Sequence, residues 1–155
     1  VTLDAYPQKT FTGKVRFVFR QFPLPATMHP HAMQSAEASL AAHEQGKFWE
    51  MHDKLFDNRS ALNRPDLEKY AQEIGLDMGK FKAALDKNVH KPFVDAENAA
   101  AEKAGISGTP AFIVGTVKDK ELSGYFISGA QPYAKFRKLI DRALAEKKGP
   151  AKAAH

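Results

Sequence analysis

Between Lys14 and Phe22 the chain alternates with a period of two, Val15, Phe17, Phe19 and Gln21 on one face and Arg16, Val18, Arg20 and Phe22 on the other. β-Branched and aromatic residues at that period predict a strand. Pro23, Pro25 and Pro30 end it, because proline has no amide hydrogen for a ladder and pushes the residue before it into an extended conformation. From Ala32 the period changes to that of a helix. Met33, Ala36, Leu40 and Ala41 can share a face up to Gly46, and Phe48, Trp49, His52, Leu55 and Phe56 continue on a second short helix.

Three more helices are predicted downstream. Asn63 can cap the first, with Pro65 in its opening turn, Leu67, Tyr70, Ala71 and Ile74 on its apolar face and Gly75 as its stop. Asp77 caps the next, which carries Phe81, Ala84 and Leu85. The third starts near Lys91-Pro92, carries Phe93, Ala96, Ala100 and Ala104, and ends at Gly105. After a turn at Ile106-Ser107-Gly108-Thr109-Pro110, the short run Ala111-Phe112-Ile113-Val114 suits a buried strand. Gly115 to Gly124 is polar and turn-rich, so Tyr125-Phe126-Ile127-Ser128 is expected to return as a hairpin strand through a longer loop. Pro132 opens a last helix whose apolar face is Tyr133, Phe136, Leu139, Ile140, Ala143 and Leu144. Strand, helical block, hairpin and helix make an α/β arrangement with a small sheet of three strands.

The chain has 155 residues, 43% of them hydrophobic and 26% charged, which suits one globular domain, expected over 1–146 with the helical insertion at about 32–104. No apolar run approaches the roughly 20 residues that cross a bilayer, so no membrane span is expected. A start at Val1 in place of Met fits a processed form or a fragment. The net charge of +5 is spread along the chain, and its densest basic piece lies in 147–155, read as a flexible solvated tail and not as a nucleic-acid arm. The absence of cysteine excludes a disulfide framework, a thiolate metal site and a cysteine nucleophile.

Four stretches, in order and at matching spacing, make the chain resemble the DsbA-like thiol-disulfide oxidoreductase family of the thioredoxin superfamily. They are Gly13–Leu24, Gln45–Phe56, Gly105-Ile106-Ser107-Gly108-Thr109-Pro110-Ala111-Phe112, and Ser128-Gly129-Ala130-Gln131-Pro132-Tyr133. The resemblance implies a thioredoxin-like fold with a small central sheet and a multi-helix insertion. It implies that Thr109-Pro110 is the superfamily's cis-proline turn and that Gly108, Thr109 and Pro110 hold an extended polypeptide substrate by strand addition. A periplasmic or extracytoplasmic setting is implied in the same way. The departure is at the front. The family's Cys-x-x-Cys, at the start of its first helix, has no counterpart here, and the N-terminal part of the fold reads as truncated or altered. In one alignment Ala5-Tyr6-Pro7 is the end of that helix, so that strand and cysteines lie before Val1; in the other, Val1–Tyr6 is the first strand and the helix is deleted.

Other candidates have plainer readings. Met28-His29-Pro30-His31-Ala32-Met33, with His43 and His52 downstream, supplies at best part of a metal ligand set, and a solvated loop at a helix start is preferred; no metal or cofactor is expected. His52, beside Trp49, suits a hydrogen-bonded core histidine. Glu37, Glu44, Glu50 and Asp53 suit solvated faces and ion pairs, and Phe48, Trp49 and Phe56 suit helix packing. Two functions stay open: a domain of a thiol-disulfide oxidoreductase that is redox-inactive by itself, or a complete redox-dead module that binds peptide at Thr109-Pro110. In the second, an uncovered sheet edge and apolar face predict self-association, as a homodimer or a domain-swapped assembly.

Overall fold

The computed structural model describes residues 13–118 and 121–147, and the two alignments of the first residues and the tail 148–155 lie outside them. The chain divides into two compact units, Arg20–Ser107 and Val1–Phe19 with Gly108–His155. The first is helical: α1 (Ala32–His43), α2 (Phe48–Asp57), α3 (Arg64–Glu73), α4 (Met78–Asp86) and α5 (Lys91–Lys103). The second holds β1 (Ala111–Lys118), β2 (Glu121–Ser128) and α6 (Tyr133–Lys147). With six helices and a two-stranded antiparallel sheet among the described residues, the fold is α/β.

The ends of the helices follow from their capping residues. At α3 the Asn63 side chain accepts from the Asp66 amide at 3.2 Å while the Asp66 carboxylate accepts from the Asn63 amide at 3.2 Å, a reciprocal capping box. Gly75, at φ +77°, then turns the chain away in the left-handed region. Asp77 caps α4 by accepting from the Lys80 amide at 3.0 Å. The Asp77 amide donates to Gln45 Oε1 at 2.8 Å, which ties the start of α4 to the chain just after α1.

α1 is the element the others surround, packing against α2, α3, α4 and α5. Its buried surface is made of small side chains, Ala36, Ala38, Ser39, Ala41 and Ala42, which let neighbouring backbones come close and leave the volume to Met51, Leu67 and Phe81, all fully buried. Met51 anchors α2, while Trp49 and Phe56, expected inside, are about half exposed. The stripe on α2 is offset because Met51 and His52 take the inner positions.

Four expectations need correction. The strand expected at Lys14–Phe22 is not assigned among the described residues: residues 15–25 carry no regular secondary structure, and the described sheet is β1 and β2. Arg20–Pro23 bonds to side chains of α1 and α5. Glu97 pairs with the Arg20 guanidinium and accepts from the Gln21 amide at 3.3 Å, the Asn98 amide donates to the Pro23 carbonyl at 3.5 Å, and Gln21 Nε2 donates to Ser39 Oγ at 2.8 Å. The inner face of α5 therefore carries Val94, Glu97 and Asn98, whereas Phe93, Ala96 and Ala100 are exposed. The loop expected over Gly115–Gly124 is mostly strand, because Gly115 and Gly124 sit opposite each other in register and allow a close approach of the backbones.

Glu37 is the fourth correction. It sits among the alanines of α1 with 4% exposure, and its Oε2 is buried without a hydrogen-bond partner. Burial raises its pKa above the ordinary glutamate value, against the opposing pull of His90 and Lys91 and with a further push from Asp95. A raised value in the folded chain means that folding is favoured by protonation. The stabilising contribution is complete below the ordinary glutamate pKa and is lost as pH rises through the raised one.

Two predictions follow from this packing. A methyl group at Gly124 would overlap the Val114 carbonyl, so Gly124→Ala is expected to cost about 1–3 kcal/mol in chemical denaturation, while Ser123→Ala on the exposed side changes little. Glu37→Gln is expected to stabilise the chain at pH 7 by on the order of 1 kcal/mol. That advantage shrinks as the pH is lowered through the raised pKa, which melting curves across the acid range would show.

Candidate functional site

β1 begins immediately after the turn at Gly108, Thr109 and Pro110, and the ladder extends one pair beyond the strands, since the Gly129 amide donates to the Pro110 carbonyl at 2.8 Å. That bond fixes the turn to the head of the hairpin. The Thr109–Pro110 peptide bond is cis. Thr109 and Pro110 are exposed, and Gly108 is partly so. Among the described residues, the Thr109 N–H and C=O make no backbone hydrogen bond, so a fixed, solvent-facing donor and acceptor sit side by side.

Behind the turn the hairpin is held by α6. Phe112 meets Phe136 edge-on with ring centroids 4.9 Å apart, and Ile127 is fully buried. Further along, the Tyr125 hydroxyl donates to Glu146 at 2.6 Å and Arg142 stacks over the Tyr125 ring at 4.8 Å. The hydrogen bond to Glu146 raises the Tyr125 pKa, and the same bond, with that from Arg142, lowers the pKa of Glu146. These groups tie the hairpin to α6.

The histidines do not converge. His29 and His31 are exposed before α1, His43 is exposed at its end, and His52 is buried on α2 with Nδ1 3.0 Å from Asp53 and its ring 4.5 Å from that of Phe56. Among the described residues no three His, Asp or Glu side chains group as metal ligands do. A cavity of about 720 Å³ in the helical unit is lined mainly by Phe22, Leu24, Pro25, Met33 and Ile106, with His29, Asn98 and Glu102 as its larger polar groups. Ser107 also lines it. The chain has no cysteine.

Sequence reasoning located the turn but missed the clamp of Glu97 and Asn98 and the open face of the hairpin. The first could have been suspected from two polar residues one turn after Val94. The second was hidden by reading Gly115 and Gly124 as loop.

Residues 2–141 match the DSBA-like thioredoxin domain. The chain is 41% identical over 100 residues to the Na(+)/H(+) antiporter NhaA 3 of Salinispora tropica, a stretch that covers 64% of this chain and 15% of the antiporter. It is 37% identical over 114 residues to NhaA 1 of Mycolicibacterium vanbaalenii, covering 71% and 18%, and 39% identical over 104 residues to NhaA of Herminiimonas arsenicoxydans, covering 67% and 16%. The chain thus spans less than a fifth of the length of these curated relatives.

Proposed function

The chain belongs to the DSBA-like thioredoxin domain family, and on that premise we propose that it is a polypeptide-holding domain of a thiol-disulfide exchange system that brings no thiol of its own. The observation that carries this reading is Thr109, whose exposed N–H and C=O are fixed at the head of β1 without backbone partners among the described residues. An extended segment laid across Gly108, Thr109 and Pro110 would donate one hydrogen bond to the Thr109 carbonyl and accept one from its amide. Exchange itself needs a thiolate to attack a disulfide sulfur, and none of the 155 residues can form one. The domain therefore positions a polypeptide for a thiol supplied elsewhere. A periplasmic or extracytoplasmic setting goes with this reading and rests on the family.

A second reading is favoured by the absence of cysteine: a redox-silent binder that holds its polypeptide for another purpose. The curated relatives give this reading a context, since the part of each antiporter that this chain matches is a minor share of its length. In such a context the domain serves as an accessory to a larger protein.

Binding of a permanently unfolded, carboxymethylated protein to the full chain tests both readings, and a disulfide-reduction assay separates them from an intact enzyme. The chain alone is expected to bind but not to reduce. Thr109→Pro removes the amide hydrogen and is expected to weaken binding by roughly tenfold, whereas Thr109→Val keeps the backbone and binds as before. Equal affinity for the proline variant, with its circular dichroism unchanged, would sink the proposal. So would reduction of disulfides by the cysteine-free chain.

A further inference from the structure

We propose that the outward face of α6 is a basic stripe that holds the domain on an anionic bilayer surface, by charge and without insertion. The proposal is independent of the reading of the Thr109 turn.

The even spread of charge expected from the sequence does not hold once the chain is divided into its units. Val1–Phe19 with Gly108–His155 carries 12 lysines and arginines against 5 aspartates and glutamates, whereas Arg20–Ser107 carries 11 against 13. The positive excess of the whole chain therefore belongs to the unit that holds the hairpin and α6.

Within that unit, α6 gathers cations on one side. Lys135, Lys138 and Arg142 recur at spacings of three and four, so they share a face of the helix, while Phe136, Ile140 and Ala143 are buried on another. Arg137 stands on the flank, and all four cations are exposed. Of the two carboxylates on α6, that of Asp141 lies 3.8 Å from Arg137, and that of Glu146 accepts from Tyr125 and Arg142. Lys135 donates to the Gln131 amide oxygen at 3.3 Å, and neither Lys135 nor Lys138 has a carboxylate partner among the described residues. Lys135 to Arg142 spans about 10 Å of helix, close to the Debye length of ~8–10 Å at physiological ionic strength, so the fields of the three cations add. Lys147, Lys148 and Lys152 follow in the sequence with the same sign.

The chemistry of this face selects the partner. Besides the four cations, the exposed side chains described on α6 are Ala134, Asp141, Ala145 and Glu146. A protein partner is anchored by large side chains seated in pockets, and a nucleic acid by aromatic or amide groups that stack on bases or read their edges. The stripe offers neither. Diffuse lysine charge along an amphipathic helix is what anionic lipid headgroups attract. No described helix is long and apolar enough to cross a membrane, so the contact is with the surface.

The full chain is mixed with vesicles of phosphatidylcholine, alone or with phosphatidylglycerol added, and the bound fraction is measured by sedimentation. Binding is expected with the anionic vesicles only, and is expected to fall steeply as salt is raised. Lys135→Glu combined with Lys138→Glu is expected to weaken it by roughly tenfold or more. Lys87→Glu combined with Lys103→Glu makes the same change in net charge at exposed positions of the helical unit and is expected to leave binding unchanged. Circular dichroism checks that both pairs keep the fold. Equal loss in the two pairs means that total charge alone matters and overturns the stripe. Absence of binding, or equal binding to neutral vesicles, overturns the bilayer as partner, as does tighter binding to duplex DNA than to the anionic vesicles. Polypeptide binding at Thr109 is expected to be the same with Lys135→Glu and Lys138→Glu in place, so the failure of either proposal leaves the other standing.

Discussion

The helical unit depends on how closely backbones can approach α1. Ala38 and Ala42 are fully buried and Ala41 nearly so, and around this narrow cylinder α2, α3, α4 and α5 all find a seat. Small side chains give little apolar area themselves, so the burial that stabilises the unit comes from what they admit: Met51, Leu67, Phe81, Leu85 and Val94. Enlarging one of these alanines would push several helices outward at once. The same crowding explains Glu37. Glu37 is buried on this helix, and burial raises its pKa.

A second dependence is polar. The segment Arg20–Pro23 has the composition of a strand but is held by Glu97, Asn98 and Ser39, donors and acceptors that a neighbouring strand would otherwise supply. Satisfying buried backbone groups matters more than the particular secondary structure that does so. At β1 the balance differs. One side of the strand is satisfied by β2, and among the described residues no third strand lies beside the other.

The composition sets a boundary on the chemistry. Without cysteine the chain has no nucleophilic sulfur. Its titrating groups serve packing: Tyr125, Glu146 and Arg142 bind the hairpin to α6, and Arg64, Glu68 and Lys82 link α3 to α4.

Much was legible in the sequence because it is local. Asn63 with Asp66, Asp77 with Lys80, Gly75 and Pro132 mark helix ends through groups only a few residues apart, and the apolar face of α6 follows from its period. Family likeness added the Thr109-Pro110 turn, which composition alone reads as an ordinary bend. Tertiary structure decided what depends on distant partners. Lys14–Phe22 had the alternation of a strand but carries no regular secondary structure among the described residues, Gly115 and Gly124 looked like loop until each was set against the other, and Glu37 looked solvated until the fold buried it near His90, Lys91 and Asp95. A period of two or of 3.6 states which residues can share a face, and only the fold states what that face meets.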